Sequence, residues 1–187
     1  AMRKGTYQGE LQIYCHQGLT DTISTICRLT MQGKFFKMIG SRIFLVPVED
    51  GETVHILDYD VTFFDILSTK ARQFGFTTAL KNGLKFTCAG DEPYNPDCHA
   101  YVEGSNWLLH EAFCLYRDRE IFAPYEKHHS TVKEACELAE ELNIPNLVLW
   151  HTEDKQLAQR KTLYIKEGRK YYHGNLLVPE DREIIVL

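Results

Sequence analysis

The sequence predicts a mixed α/β (α+β) domain in which strands dominate the first half of the chain and helices alternate with strands in the second. Short β-rich runs separated by turn residues fill the first half, and a capped amphipathic helix followed by a continuous apolar run marks the second. With 187 residues, of which 44% are hydrophobic and 25% charged, the chain can bury one substantial core. We therefore expect a single domain.

Six runs in the first half are rich in β-branched and aromatic residues and predict strands. They cover residues 11–15, 43–46, 54–57, 61–67, 74–80 and 84–88. Between the last two, Asn82-Gly83 is typical of a two-residue hairpin turn, because both positions of such a turn need positive φ. We therefore expect these two strands to pair antiparallel.

One helix is predicted to interrupt the strands, beginning near Thr20-Asp21, where a capping residue precedes apolar positions at helical spacing. In the second half, Ser130 or Thr131 caps a helix over 131–142, with Glu134 placed to complete a capping box. The remaining predicted elements are strands at 106–109, 147–150 and 183–187 and a charged helix over 153–168.

Charge and cysteine usage limit the possible functions. The 21 basic and 26 acidic residues give a net charge of -5, which argues against a broad surface for nucleic acid or an anionic membrane. Six cysteines without a CxxC pair, and no signal peptide or long apolar run, indicate reduced thiols in a cytoplasmic protein. Ala1 before Met2 is typical of a residue left by tag removal, so we expect the coding region to begin at Met2.

Polar clusters follow three predicted strands, where side chains from separate strands can converge at one edge. The first is Gly90-Asp91-Glu92, directly after the strand at 84–88. Asp91 could bridge two metal ions, because each carboxylate oxygen can bind one cation. An ordinary Asx-type turn explains the same residues, and the local sequence leaves both interpretations open.

The second cluster, His128-His129-Ser130-Thr131, stands immediately before the capped helix, where backbone N–H groups favour an anion. His129 could donate a proton there, whereas His128 is more typical of a solvated loop. Glu111, at the end of another strand, could orient His129 by hydrogen bonding.

The third cluster begins with Trp150-His151, at the end of a buried apolar run. A histidine at such a strand end can be a neutral metal ligand or simply the neighbour of a helix cap.

A competing interpretation is a small structural zinc site. Its four members would be Cys98, His99, His110 and Cys114. Their irregular spacing argues against it.

Together, the clusters resemble the second half of ribonuclease Z-like members of the metallo-β-lactamase superfamily. The matching segments, in order, are Gly90-Asp91, His110-Glu111-Ala112, His129-Ser130-Thr131 and Leu149-Trp150-His151. The resemblance implies a partial αββα metallo-β-lactamase sandwich with two metal ions, usually zinc, that activate water to attack a phosphodiester or related bond.

The resemblance also implies roles for individual residues. Asp91 would bridge the two metals and His151 would bind one of them. His129 would donate a proton or contact a phosphate, and Glu111 would hold His129 in position.

Two features depart from this family's pattern. The HxHxDH motif that supplies most of the metal ligands is absent, so residues 1–187 would form one domain truncated at its N-terminus. Leu67 stands where the family places a further histidine ligand, seven residues ahead of Phe74-Gly75-Phe76. We therefore expect weak or no activity, with partial or no zinc occupancy.

The leading hypothesis is the C-terminal portion of a zinc hydrolase that acts on a small phosphodiester, a nucleotide or an ester. Transfer RNA is less favoured, because no inserted arm with clustered basic residues is present. The alternative is a non-catalytic binding or assembly protein that retains the sandwich. In both cases bare sheet edges predict a homo-oligomer, without membrane attachment.

Overall fold

The computed structural model describes residues 5–187, so Ala1 and Met2, which bear on the expected start of the coding region, lie outside it. The chain divides into two compact units, with the boundary between Glu52 and Thr53. Each unit contains its own β-sheet.

The first unit pairs two parallel strands and carries two helices. In chain order these are β1 (Leu11–Cys15), α1 (Gln17–Thr30), α2 (Gly33–Phe36) and β2 (Ile43–Pro47). The predicted start of α1 near Thr20 is wrong by three residues. The helix begins earlier because Nδ1 of His16 accepts the backbone N–H of Leu19 at 3.2 Å and so caps the first turn.

The second unit is built on a seven-stranded sheet whose strands lie side by side in chain order. They are β3 (Thr53–Ile56), β4 (Tyr59–Asp65), β5 (Phe74–Ala79), β6 (Lys85–Cys88), β7 (Trp107–Glu111), β8 (Asn146–Trp150) and β9 (Asn175–Leu177). Strands β3 to β6 form an antiparallel meander, and β6 to β9 run parallel. The predicted antiparallel pairing of β5 and β6 is confirmed, and Gly83 has φ +81°. The predicted two-residue turn is wrong, because Asn82 does not adopt positive φ and the Gly83 backbone N–H donates to the Leu80 carbonyl at 2.8 Å.

Helices connect the parallel strands, as right-handed crossovers between parallel neighbours require. They are α3 (His99–Val102), α4 (Arg119–Phe122), α5 (Val132–Glu141) and α6 (Arg160–Gly168). Short 3₁₀ turns lie at Pro96–Cys98, Tyr116–Asp118, Tyr125–Lys127 and Leu157–Gln159.

The main core lies between these helices and the parallel strands. Apolar side chains of β7, β8, α5 and α6 are fully buried together, among them Leu108, Leu147, Ala135 and Tyr164. The capping box predicted for α5 is present: the Thr131 backbone N–H donates to the Glu134 carboxylate at 2.7 Å. The predicted mixed α/β fold is therefore confirmed.

Two predicted elements near the end of the chain are wrong. The charged helix begins at Arg160 rather than at Glu153, because the Glu153 side chain is buried and accepts the Lys155 backbone N–H, which closes a turn instead of a helix. Residues 183–187 form no strand. The Glu183 carboxylate accepts the Glu180 backbone N–H in a local turn, and β9 takes the edge position beside β8.

The six cysteines are free thiols, and five of them are buried. In residues 5–187, each helix is too short or too polar to span a lipid bilayer.

Candidate metal centre

Three of the predicted site residues lie at one edge of the sheet of the second unit. Because β6, β7 and β8 are parallel, their carboxyl ends meet at the same edge. Asp91 follows β6, Glu111 is the last residue of β7, and His151 follows β8. The β7–β8 register pairs Glu111 with Trp150, so the ends of these two strands are level.

The chain leaves these strands through left-handed backbone conformations. Gly90 has φ +84° and His151 has φ +50°. Leu67, after β4, and His128, in the loop before α5, have φ +59° and +54°. Non-glycine residues rarely adopt these angles, and such strain concentrates where a fold must aim a side chain at a site.

Gly90 fixes the direction of Asp91. A Cβ at Gly90 would lie 2.8 Å from Cδ1 of Ile66, so a larger residue there would require both a strained φ and a shift of the Ile66 side chain. Nε1 of Trp150 donates a hydrogen bond to the Gly90 carbonyl at 3.2 Å, which ties this turn to the end of β8. The structure therefore brings Asp91 next to His151.

The side chains of Asp91 and His151 lie close enough to bind the same cation. Oδ2 of Asp91 lies 3.9 Å from Nε2 of His151, and 38% and 39% of the two side chains are exposed. A zinc ion bound to both atoms at about 2.0–2.2 Å would fit between them.

His129 lies beside this pair. Its ring is 4.9 Å from that of His151, and it stacks on Phe113 at 4.9 Å with 25° between the planes. The His129 backbone N–H donates to the Pro124 carbonyl at 2.9 Å. The ring is therefore buried and held from both sides.

Glu111 supports the segment that carries His129. Its Oε1 accepts hydrogen bonds from the backbone N–H and the hydroxyl of Ser130, the latter at 2.6 Å. Its Oε2 lies 3.6 Å from Nδ1 of His129. Both of these facing atoms are buried and have no hydrogen-bond partner within residues 5–187.

Burial sets the protonation of this pair. It raises the pKa of the Glu111 carboxyl to about 7, against the lowering effect of the Ser130 hydrogen bonds. Burial also lowers the pKa of His129, and the positive charges of Lys70 and His151 lower it further. A neutral imidazole is the form that binds a metal or accepts a proton.

The donor set suits a divalent cation. One ligand atom from each of Glu111, His129 and His151 lies within 4.8 Å of the others. Nitrogen and carboxylate oxygen are ligands that zinc accepts. His151 thus belongs to two arrangements: it faces Asp91, and it lies close to Glu111 and His129.

The competing zinc site does not assemble within residues 5–187, where Cys98, His99, His110 and Cys114 form no metal-binding group. The Cys98 thiol donates to the Asp65 carbonyl at 3.3 Å, and Nδ1 of His110 lies 2.7 Å from the Glu111 carbonyl. Burial raises the pKa of the Cys114 thiol to about 12, far from the thiolate that zinc requires.

Sequence reasoning missed the function of Glu92. This carboxylate is buried beside Asp91, accepts the Ser68 hydroxyl at 2.8 Å and the Thr69 N–H at 3.3 Å, and lies 3.6 Å from Nζ of Lys70. It therefore anchors the loop between β4 and β5 next to the site. The only sequence signal is a second acid directly after Asp91, which surface turns show equally often.

A protein-family model described as a β-lactamase superfamily domain matches residues 1–152. The chain therefore belongs to the metallo-β-lactamase superfamily, whose members are metal-dependent.

Within this superfamily the chain is a ribonuclease Z-like member. It is 34% identical over 97 residues to ribonuclease Z of Oceanobacillus iheyensis, covering 52% of this chain and 31% of the relative. It is 28% identical over 107 residues to ribonuclease Z of Thermococcus sibiricus, covering 57% and 33%. These matches span about a third of each curated relative's length.

Solved structures share the fold. The metallo-β-lactamase fold protein YhfI from Bacillus subtilis superposes with a TM-score of 0.70 at 16% identity, covering 95% of this chain and 65% of that one. The short form of human tRNase Z gives a TM-score of 0.63 at 21% identity, covering 96% and 69%.

Proposed function

We propose that this chain carries part of a zinc-dependent hydrolase centre that acts on a phosphodiester. The observation that carries the proposal is the convergence of Asp91, Glu111, His129 and His151 at one sheet edge. The four side chains come from well-separated segments and include two unpartnered buried atoms. Ribonuclease Z relatives support the type of bond.

Asp91 and His151 would hold the metal, which when bound lowers the pKa of water enough to supply a nucleophile near neutral pH. His129 presents Nδ1 to Glu111. In its protonated form it would contact the phosphate or give a proton to the leaving oxygen. Glu111 positions His129 through Ser130 and through the facing Oε2.

We expect weak or partial metal occupancy. A stable zinc site normally has three or four protein ligands. Asp91 and His151 provide two, with Glu111 and His129 as further donors in the same group. Water or a second copy of the chain would complete the coordination, which fits the homo-oligomer that we propose.

We propose a small phosphodiester or a nucleotide as the substrate in preference to transfer RNA. The net charge of -5 provides no extended attraction for a polyanion. RNA remains the competing substrate because the relatives are named ribonuclease Z. A cytoplasmic location fits the six free thiols.

Leu67 favours a second candidate function, a non-catalytic binding or assembly protein. Its side chain is 47% exposed, at the sequence position where the family pattern places a histidine. An isobutyl group cannot coordinate a metal. This alternative would be supported if the chain bound no zinc and hydrolysed no phosphodiester.

The proposal is tested with bis(p-nitrophenyl) phosphate as the phosphodiester and zinc as the metal. We expect slow, zinc-dependent release of p-nitrophenol that chelation with EDTA abolishes. The variant His129→Ala should lower kcat by roughly 10²–10⁴-fold, and its zinc content, measured in the same samples, separates a role in proton transfer from one in metal binding. The absence of zinc-dependent turnover in the parent protein would favour the non-catalytic alternative.

A further inference from the structure

A pocket of about 260 Å³ is lined in part by residues that adjoin those of the candidate centre in the sequence, and nothing described so far uses it. Three of its lining residues are tied to the site. Glu92 directly follows Asp91, and His128 directly precedes His129. Leu67 occupies the sequence position at which the family pattern places a ligand. A group attached to a phosphate at the centre could therefore extend into this pocket.

The lining combines apolar walls with a few hydrogen-bonding groups. The apolar part consists of Ile66, Leu67, Pro93, Tyr94 and Pro96. The polar part consists of Thr69, Glu92, Asn95 and His128. Ligand pockets that take a flat heterocycle have this composition, because the walls cover the ring faces and the polar groups reach its edge.

Asn95 has a donor to offer such an edge. Its Oδ1 accepts the Asp97 backbone N–H at 3.0 Å and caps the 3₁₀ turn at Pro96–Cys98. That bond orients the side chain amide and leaves its Nδ2 group for an acceptor such as a ring nitrogen or a carbonyl oxygen.

The wall opposite Asn95 is held in place by Glu92. The buried carboxylate accepts the Ser68 hydroxyl and the Thr69 N–H, and Nζ of Lys70 lies 3.6 Å away. These contacts come from consecutive residues of one loop, so the loop has little freedom to collapse into the pocket or to swing away from it. The pocket is therefore formed before a ligand enters.

We propose that this pocket binds the nucleobase of a nucleotide whose phosphate lies at the metal centre. The inference rests on the proposed function for the position of the phosphate, and it deepens that function by naming a nucleoside as the substrate's organic part. The volume suits one ring system, in contrast to the extended grooves that follow a nucleic-acid strand.

The experiment compares two ligands that differ only in the base. AMP and ribose 5-phosphate are titrated into the zinc-supplemented full chain, and amide chemical shifts give each dissociation constant. We expect AMP to bind roughly tenfold more tightly, since a base stacked in a pocket contributes about that factor. Equal affinities for the two ligands would overturn the proposal.

The substitution Leu67→Trp fills the pocket and should remove the preference for AMP. Leu57→Trp is the matched control, because Leu57 is also a leucine with left-handed backbone. Its φ is +54° and that of Leu67 is +59°. Leu57 lies in the β3–β4 hairpin, where its side chain is 86% exposed. It should retain the preference. Retention of the preference in Leu67→Trp would contradict the assignment to this pocket.

Zinc binding is measured in the same samples, so the two proposals fail separately. AMP preference that depends on Leu67 in a protein without bound zinc would sink the hydrolase proposal and leave the pocket intact. If zinc binds but AMP and ribose 5-phosphate bind equally tightly, the pocket proposal fails and the hydrolase proposal remains.

Discussion

Oε2 of Glu111 and Nδ1 of His129 face each other at 3.6 Å, and both atoms are buried without another hydrogen-bond partner in the described chain. Two buried polar atoms left in this state are costly, since an unsatisfied buried group loses about 1–3 kcal/mol. Their arrangement is explained if a small shift on binding a cation or a phosphate brings them into contact. We propose that Glu111 positions His129 through this contact.

Glu111→Gln should lower kcat for bis(p-nitrophenyl) phosphate by about 10–100-fold, the range typical of residues that orient a reacting histidine. The amide oxygen can still accept from Ser130, so the loop should stay in place, while the charge facing His129 is lost. KM should not change. Glu141→Gln, an exposed substitution on α5, is the control. An unchanged kcat in Glu111→Gln would refute the positioning role.

Gly90→Ala tests whether the turn before Asp91 is fixed by packing as well as by backbone angle. Gly83 has nearly the same φ, +81° against +84°, but a Cβ there would meet open space. We expect Gly83→Ala to lower the free energy of unfolding by about 1–2 kcal/mol. Gly90→Ala should lower it by roughly 1–3 kcal/mol more, because its Cβ would lie against Ile66.

Urea unfolding at equilibrium measures both variants. Adding Ile66→Val removes Cδ1, the atom nearest to the new Cβ, and should recover part of the loss in Gly90→Ala only. Equal losses for the two glycine variants would show that Ile66 yields and that the close approach does not constrain Asp91.

The sequence predicts the strands that carry the site residues more accurately than it predicts the elements near the two ends of the chain. Strand β8 is one continuous apolar run and α5 carries its own capping box, so local chemistry alone defines both. The start of α1 was misplaced because a histidine, His16, acts as its cap. The last strand was misplaced because which segment pairs with β8 depends on tertiary packing, which outweighs the β propensity of residues 183–187.

The site residues also divide into those that local sequence can place and those whose positions depend on tertiary packing. Asp91 and His151 can be placed from sequence because each follows a strand, and parallel strands bring their carboxyl ends together. The contact of Glu92 with residues 68–70 joins segments more than twenty positions apart, and no periodicity signals it. The facing of Glu111 and His129 depends on how residues 128–130 fold over β7, which spacing does not encode.

The Glu140–His173 pair predicts a pH-dependent contribution to stability away from the site. The His173 backbone N–H and ring nitrogen both bond to the Glu140 carboxylate at 2.9 Å, and these hydrogen bonds lower the pKa of Glu140. A carboxyl whose pKa is lowered by folding stabilises the fold above its unfolded pKa. This stability is lost as the pH falls through the folded pKa.

Glu140→Gln should therefore lower the midpoint of thermal unfolding at pH 7, and the difference from the parent protein should shrink as the pH falls below about 4. Glu141→Gln, the next residue, serves as the control and should show no such trend. A difference that persisted unchanged into acid would indicate that the hydrogen bonds of Glu140 do not depend on its charge.

The central claim is that Asp91 and His151 together bind a metal ion, and zinc titration of the purified chain by isothermal calorimetry tests it most directly. Asp91→Asn and His151→Asn should each weaken zinc binding at least tenfold. His55→Asn should leave it unchanged, although His55 also pairs with an aspartate, Asp60, at 2.8 Å. Zinc affinity that is the same in the parent protein, Asp91→Asn and His151→Asn would contradict the account.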